Sequence, residues 1–255
     1  MRINFYGLKA IYFHEMDRFR RTLGKSLLSP VISTSLYFIV FGSVIGGYVQ
    51  KIDGISYGSY IVPGLLMLTL LTQSISNTSF GIFFPKFNGT IYEILAAPIS
   101  TFEIVLAFVS AGATKTLIVG FVIFCTSLFF VDVEVQFPLL MIFLLVLVSF
   151  TFALFGFLIG LISKDFEKMS IVPSLVITHM VFLVGSLYSL DMLPEFWQMI
   201  TYFNPVVYLI NGLRYSFYGI SDFNIWISVG LMVLFFIICV SVVSVLLKKG
   251  YNIKS

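Results

Sequence analysis

Long stretches of the chain contain almost nothing but apolar side chains, and they do not alternate. The segment from Leu139 to Val148 reads Leu-Leu-Met-Ile-Phe-Leu-Leu-Val-Leu-Val. A strand of a membrane barrel would switch between polar and apolar over ~10 residues. A helix needs ~20 mostly apolar residues to cross the hydrocarbon layer. Six runs reach that length: Leu27 to Tyr48, Tyr60 to Phe80, Phe102 to Phe130, Phe137 to Ile162, Ile171 to Leu187 and Ile225 to Leu247. The pattern predicts an all-α, polytopic membrane protein with six transmembrane helices, arranged as a single transmembrane domain over 1–255.

Three weaker patterns frame those runs. Phe5, Leu8, Tyr12, Met16, Phe19 and Leu23 recur at steps of three and four, with His14, Arg18, Arg21 and Lys25 on the other face. This predicts an amphipathic interface helix over 1–26, its basic face toward anionic head groups; the alternative is a helix covering the bundle on its soluble side. Pro30 is then expected in the first turn of span one, where proline is tolerated. Between runs two and three, 82–100 holds two capping-box spacings, Thr90-x-x-Glu93 and Ser100-x-x-Glu103, with Pro98 between them. Ile91, Tyr92, Ile94 and Leu95 give the short helix an apolar surface. Too short to hold itself together in water, it must dock, on its own bundle or in a partner's groove. After run five, 188–222 is ambiguous: 191–222 is partly apolar but holds Glu195, Gln198, Asn204, Pro205, Asn211 and Arg214, and counting it as a span would give seven. Pro194 suits a first turn, and Asn204-Pro205 breaks the helix and restarts it. Two short outer, re-entrant helices are expected, with Trp197, Tyr202, Tyr208, Tyr215 and Tyr218 at the water–lipid boundary.

Charge fixes the expected orientation. With six spans and a cytoplasmic N-terminus, twelve of the 15 Lys and Arg fall inside; only Lys51 and Arg214 fall outside, and Lys115 lies within a span. A seventh span would expel Lys248, Lys249 and Lys254, against the positive-inside rule. Both termini are therefore expected to be cytoplasmic. Hydrophobic residues make up 59% of the chain and charged residues 11%, against roughly a quarter charged in soluble domains. That excludes a soluble enzyme, a disordered tail and a nucleic-acid binder. Cys125 and Cys239 lie in apolar runs, so neither a disulfide framework nor a metal site is expected.

Catalytic constellations are absent from the sequence. His14 and His179 fall in different compartments, and Gly24-Lys25-Ser26 lacks the upstream glycine of a P-loop, position 19 being Phe19. The chain is expected not to bind ATP itself. Polar residues at membrane depth mark a bundle interior or a cavity. Gln73, Asn77 and Thr78 are candidates for a pathway or a helix–helix seam. Lys115 is a candidate to snorkel, to pair with a carboxylate or to meet an anionic substrate. His179 is a candidate relay or a structural histidine. An ion pair from Arg214 to Glu195 or Asp191 is expected to fix the outer hairpin.

Two motifs carry a resemblance. Lys86, Gly89, Thr90, Glu93, Leu95, Pro98, Ile99 and Ser100 match the coupling-loop pattern of the ABC-2 type permease family. Leu193, Pro194, Trp197, Asn204, Pro205, Tyr208 and Arg214 match its C-terminal pattern. Within that family, Leu36 to Gly42 and Ile61-Val-Pro-Gly64 are similar to the YadH-like bacterial inner-membrane permeases. The resemblance implies the permease subunit of an ATP-driven exporter in a bacterial-type inner membrane. It implies a second permease chain completing a homodimer, and a separate ABC ATPase subunit that binds ATP and Mg. It also implies that Lys86, Gly89, Thr90, Tyr92, Glu93, Leu95 and Pro98 serve ATPase coupling, and that Pro194, Trp197, Asn204, Pro205, Tyr208 and Arg214 form the outer hairpin. A self-contained secondary transporter or channel is the alternative. It would show inverted repeats or spans broken at midplane, and it leaves the capped loop unexplained.

Overall fold

The computed structural model describes residues 4–49 and 51–248. Arg2, Lys249 and Lys254, part of the charge pattern above, lie outside the described residues. Six helices among the described residues are long and apolar enough to cross a membrane: Leu23–Ile45, Tyr57–Phe87, Thr101–Ser127, Pro138–Ile162, Phe166–Leu183 and Ile225–Leu246. These are spans one to six below.

Helix α1 (Phe5–Arg21) is capped by Asn4, whose side chain accepts from the Gly7 N–H at 3.1 Å. Only Thr22 separates it from α2 (Leu23–Tyr37). Span one thus starts earlier than the apolar run suggests, and Pro30 sits inside the helix rather than in its first turn. The helix continues as a π-helical stretch, Phe38–Ile45, closed by the Gly46 N–H donating to the Phe41 carbonyl at 3.0 Å. A two-residue hairpin, β1 (Lys51–Ile52) and β2 (Ile55–Ser56), leads into α3 (Tyr57–Tyr60) and α4 (Val62–Phe87), which together form span two.

The short helix α5 (Ile91–Ala96) precedes α6 (Thr101–Ser127), span three; α7 (Pro138–Ile162) is span four. Span five is composite: α8 (Phe166–Ile171), a π-helical stretch Val172–Ile177 opened by Pro173, and α9 (Thr178–Leu183). It begins five residues before the apolar run and ends four before it. Two short helices follow, α10 (Glu195–Tyr202) and α11 (Pro205–Tyr218), and α12 (Ile225–Lys248) contains span six.

The core is the trio α4, α6 and α7, most of whose residues are buried, whereas spans one, five and six are largely exposed. Small residues set the close approach in the trio. A side chain at Gly156 would run into the Ile75 backbone, and one at Gly160 into the Ser79 backbone. This is the small-x-x-x-small logic of membrane helices, where packing rather than water drives association.

Helix α1 departs from an independent helix lying on a membrane. Its Ile11, Met16 and Phe19 pack into the bundle core, and it runs along α6. Its exposed side carries His14, Arg20 and Arg21.

Candidate functional site

The turn into α5 is built differently from the capping box its spacing suggests. Thr90 has helical backbone angles and makes no side-chain cap. Asn88 serves instead, its Oδ1 accepting from the Thr90 N–H at 3.1 Å and from its hydroxyl at 2.7 Å. Gly89 takes φ +81°, a left-handed angle that glycine adopts without strain. The second box is formed. Ser100 Oγ accepts from the Glu103 N–H at 3.3 Å, and Glu103 Oε2 accepts from the Ser100 N–H at 2.6 Å. Glu103 Oε1 also takes the Asn4 N–H at 2.5 Å, and Asn4 Nδ2 donates to the Pro98 carbonyl at 2.9 Å. One carboxylate so joins the start of α1 to the end of the α5 loop.

The faces of α5 divide. Ile91 is buried, and Ile94 and Leu95 pack on the core of α6 and α7. Gly89 is half-buried, while Thr90, Tyr92, Glu93 and Pro98 are exposed. Lys86 turns inward: its Nζ donates to the carbonyls of Leu161 and Ser163 at the end of α7, where helix-end carbonyls need donors. Of the seven coupling candidates, Lys86 and Leu95 thus fasten the loop, and the exposed residues form its outer face. Nearby, Phe166 of α8 rests against Phe80, Phe83 and Phe84 at 5.3–5.4 Å between ring centres.

Lys115 meets a carboxylate. Its Nζ donates to Glu15 Oε2 at 2.7 Å, with both side chains almost fully buried. Arg18 reaches the same oxygen at 3.0 Å and lies over the Phe84 ring. Glu15 was not picked out from the sequence. Its signal was a lone acid in phase with Ile11 and Phe19, opposite a lone lysine in a span.

A cleft of about 220 Å³ opens between spans one, two and five. It presents Ser33 and Thr34 from α2, Thr69, Thr72 and Gln73 from α4, and Thr178 from α9. Thr69, Thr72 and Thr178 donate to carbonyls of their own helices at 2.7–3.1 Å, so their oxygens remain as acceptors. Its lining carries no charged residue. Of the pathway candidates, Gln73 lines this cleft. Asn77 is one turn along the same helix, half-buried. Thr78 turns away from it and presses against Gly112. His179 is exposed beside Thr178, with its Nδ1 2.5 Å from the Leu175 carbonyl. Nothing in the sequence singles out Ser33, Thr34, Thr69 or Thr72, since isolated hydroxyls in apolar runs usually satisfy themselves on their own helix.

At the opposite end of the bundle from α5, the α10–α11 hairpin follows its two prolines. The Pro194 carbonyl accepts the Trp197 N–H at 2.9 Å. Asn204 caps α11, accepting from the Val206 N–H at 3.0 Å while Nδ2 donates to Met180 O at 3.0 Å. The Tyr208 hydroxyl closes back on Tyr202 O at 3.1 Å. Trp197 is exposed and most of α11 is buried.

Arg214, 2% exposed, pairs with neither Glu195 nor Asp191, both of which are exposed. Its Nη1 lies 3.5 Å from Asp222 Oδ2, its Nη2 donates to Gly185 O at 2.7 Å, and its guanidinium sits 4.1 Å from the Tyr60 ring centre. The hairpin folds α11 back on the loop before α12, so a residue eight positions on is closer than the upstream acids. Burial holds the Asp222 carboxyl above the usual carboxylate range, outweighing the pull of Arg214. Asn211 completes the knot, donating to Ser221 Oγ at 3.0 Å and accepting the Asp222 N–H at 2.8 Å.

The sequence pattern of the ABC-2 type transporter family matches residues 6–218. The chain is 37% identical over 255 residues to the inner membrane transport permease YadH of Escherichia coli (strain K12), covering 100% of both chains. It is 23% identical over 230 residues to nodulation protein J of Rhizobium leguminosarum bv. viciae, covering 88% of this chain and 87% of that one. It is 24% identical over 206 residues to nodulation protein J of Rhizobium meliloti (strain 1021), covering 80% and 79%. A bundle of six apolar helices, a short capped loop helix at one end, a proline-split hairpin at the other and a match over most of the length agree: the chain belongs to the ABC-2 type transporter family and is a transmembrane transport permease.

Proposed function

We propose that this permease is the membrane subunit of an ATP-driven exporter in a bacterial inner membrane, working as a homodimer with a separate ATPase bound at the α5 end. In this reading the α5 loop and both termini are cytoplasmic. ATP and its Mg belong to the partner, and the chain supplies the pathway. One observation carries the reading. Helix α5 is six residues long, too short to be stable alone, yet it is fastened from behind by Ile91 and Leu95 and at its end by the Ser100–Glu103–Asn4 bonds. Tyr92 and Glu93 are thereby held outward on a rigid mount, the geometry of a helix offered to a groove. ATP-driven closure of the partner would displace this mount and, with it, spans two and three, the first of which lines the cleft. The cleft opens between the peripheral spans one and five, so a second copy set against those spans would close it into a pathway.

The test is purification in gentle detergent with mass spectrometry of what accompanies the chain. A P-loop ATPase at roughly equal stoichiometry is expected. Glu93→Arg is expected to weaken its association at least about tenfold while leaving thermal stability in place, as for a surface hot spot. Ile91→Ala is expected to lower stability by about 2–4 kcal/mol, as for a core residue. A clean preparation without an ATPase, repeated with nucleotide and cross-linker, would overturn the proposal in favour of a self-contained transporter.

A further inference from the structure

Helix α1 is fixed to span three from its start to past its middle. At its start, Asn4 bonds Glu103 and the Pro98 carbonyl. Midway, the Tyr12 hydroxyl donates to Thr114 Oγ1 at 3.1 Å. One turn further on, Glu15 takes Lys115 at 2.7 Å. Span two closes the third side. Gly81 leaves room for the Glu15 carboxylate, which would lie 3.5 Å from a Cβ at that position, and the Phe84 ring backs Arg18. Two cations on one carboxylate, at the meeting of three helices, make a fastening that is costly to bury. Well-packed apolar residues often do as well or better for stability alone, so the geometry calls for another reason to keep these charges.

The elements joined here supply it. Spans two and three carry the α5 loop between them. Helix α1 passes, across the single residue Thr22, into span one, which forms one wall of the cleft through Ser33 and Thr34. We infer that the Glu15–Lys115 pair is a transmission joint: it positions α1 so that displacement of the α5 loop is passed to the span-one wall of the cleft. Glu15 and Lys115 are positioning residues, and neither lines the cleft. The Asn4–Glu103 bonds hold the start of the lever, and the buried pair holds it past its middle. Without the pair, the second half of α1 keeps the single Tyr12–Thr114 bond and apolar packing against span three, whereas the buried charge pair adds a fixed register. This inference rests on the coupling role proposed for α5.

The experiment uses the full chain with its ATPase in nanodiscs, with Cys125 and Cys239 replaced by Ala. Spin labels go at Leu36 of span one and Leu175 of span five, both exposed, in chains diluted with unlabelled copies. Pulsed electron resonance measures their separation without nucleotide and with ATP and vanadate. The wild-type chain is expected to show a nucleotide-driven shift. Lys115→Met strands a buried carboxylate and is prone to misfolding, so the deciding variant is the neutral double substitution Glu15→Gln with Lys115→Met. It is expected to keep the ATPase bound at unchanged stoichiometry and to lose the shift. Lys115→Arg preserves the pair and is expected to restore it. A double variant whose shift matches wild type would overturn the joint while leaving the coupling role of α5 standing. A wild-type complex with bound ATPase and no shift would overturn both.

Discussion

At Arg214 a buried guanidinium is held by one carbonyl, one carboxylate and one aromatic face. The chemistry there tells two similar-looking substitutions apart. Arg214→Met leaves the Gly185 carbonyl without its donor and is expected to cost about 2–3 kcal/mol, the range for a hydrogen bond to a charged group. Asp222→Asn removes the carboxylate beside the buried guanidinium but also the cost of burying that carboxylate, and is expected to destabilise less than Arg214→Met. The sign for pH follows. An acid whose folded-state pKa lies above its unfolded value binds its proton more tightly in the folded chain. Its contribution is therefore greatest at acid pH and is lost as pH rises through the folded-state value. Asp222→Asn should flatten that part of the pH profile of thermal unfolding in detergent; an unchanged slope would contradict the assignment. The arginine was legible in the sequence as a buried outer cation, but its partner was not. Asp191 and Glu195 were the expected partners although Asp222 lies nearer along the chain, and the fold of α11 onto the following loop brings Asp222 within reach. Lys115 shows the same limit: pairing was one of three options for it, and Glu15 is 100 positions away in sequence.

Elements were easier to read than their ends. The six spans follow from apolar runs alone because a membrane demands length and apolarity before anything else. The ends moved where a helix runs on through charged residues, as at Lys86 for α4 and at Glu167 and Lys168 for span five. Thr90 illustrates a spacing without its geometry. The capping-box pattern is present, yet a glycine turn and Asn88 reached the same backbone groups first. The seam between α4 and α7 was also hidden, since glycine spacing acquires meaning only when the facing backbone is known. It yields a contrast. Gly160→Val drives a branched side chain into the Ser79 backbone and is expected to destabilise by about 1–3 kcal/mol or more. Gly24→Ala meets nothing nearby on an exposed helix and is expected to stabilise by up to about 1 kcal/mol. Thermal unfolding of the two variants side by side checks the pair; equal effects would show that the seam is not tight.

The whole molecule is a rigid trio with three looser spans around it. Spans two, three and four bury most of their surface, and spans one, five and six expose theirs. In the proposed homodimer, spans one and five face the second copy. Single cysteines at Ile39 in span one, on a background lacking Cys125 and Cys239, are therefore expected to cross-link between copies, and cysteines at Ile75 in the core of span two are not; efficient cross-linking at Ile75 or none at Ile39 would place the seam elsewhere. The two spans beside the cleft share one further property. Each contains a π-helical stretch, Phe38–Ile45 in span one and Val172–Ile177 in span five, and the second carries at its second position Pro173, which has no N–H to give. Such wide turns are uncommon and gather at working parts of proteins. A wide turn is stored chain: it holds one residue more than the α-helical ladder requires. If that residue is taken up elsewhere in the helix, everything beyond it turns by about 100° about the axis, the angle of one residue in an α-helix, while nearly every backbone hydrogen bond survives. A span so equipped can present a different face to its neighbour without unwinding, so the walls of the cleft supplied by spans one and five have a means of changing their lining that the wall supplied by span two lacks.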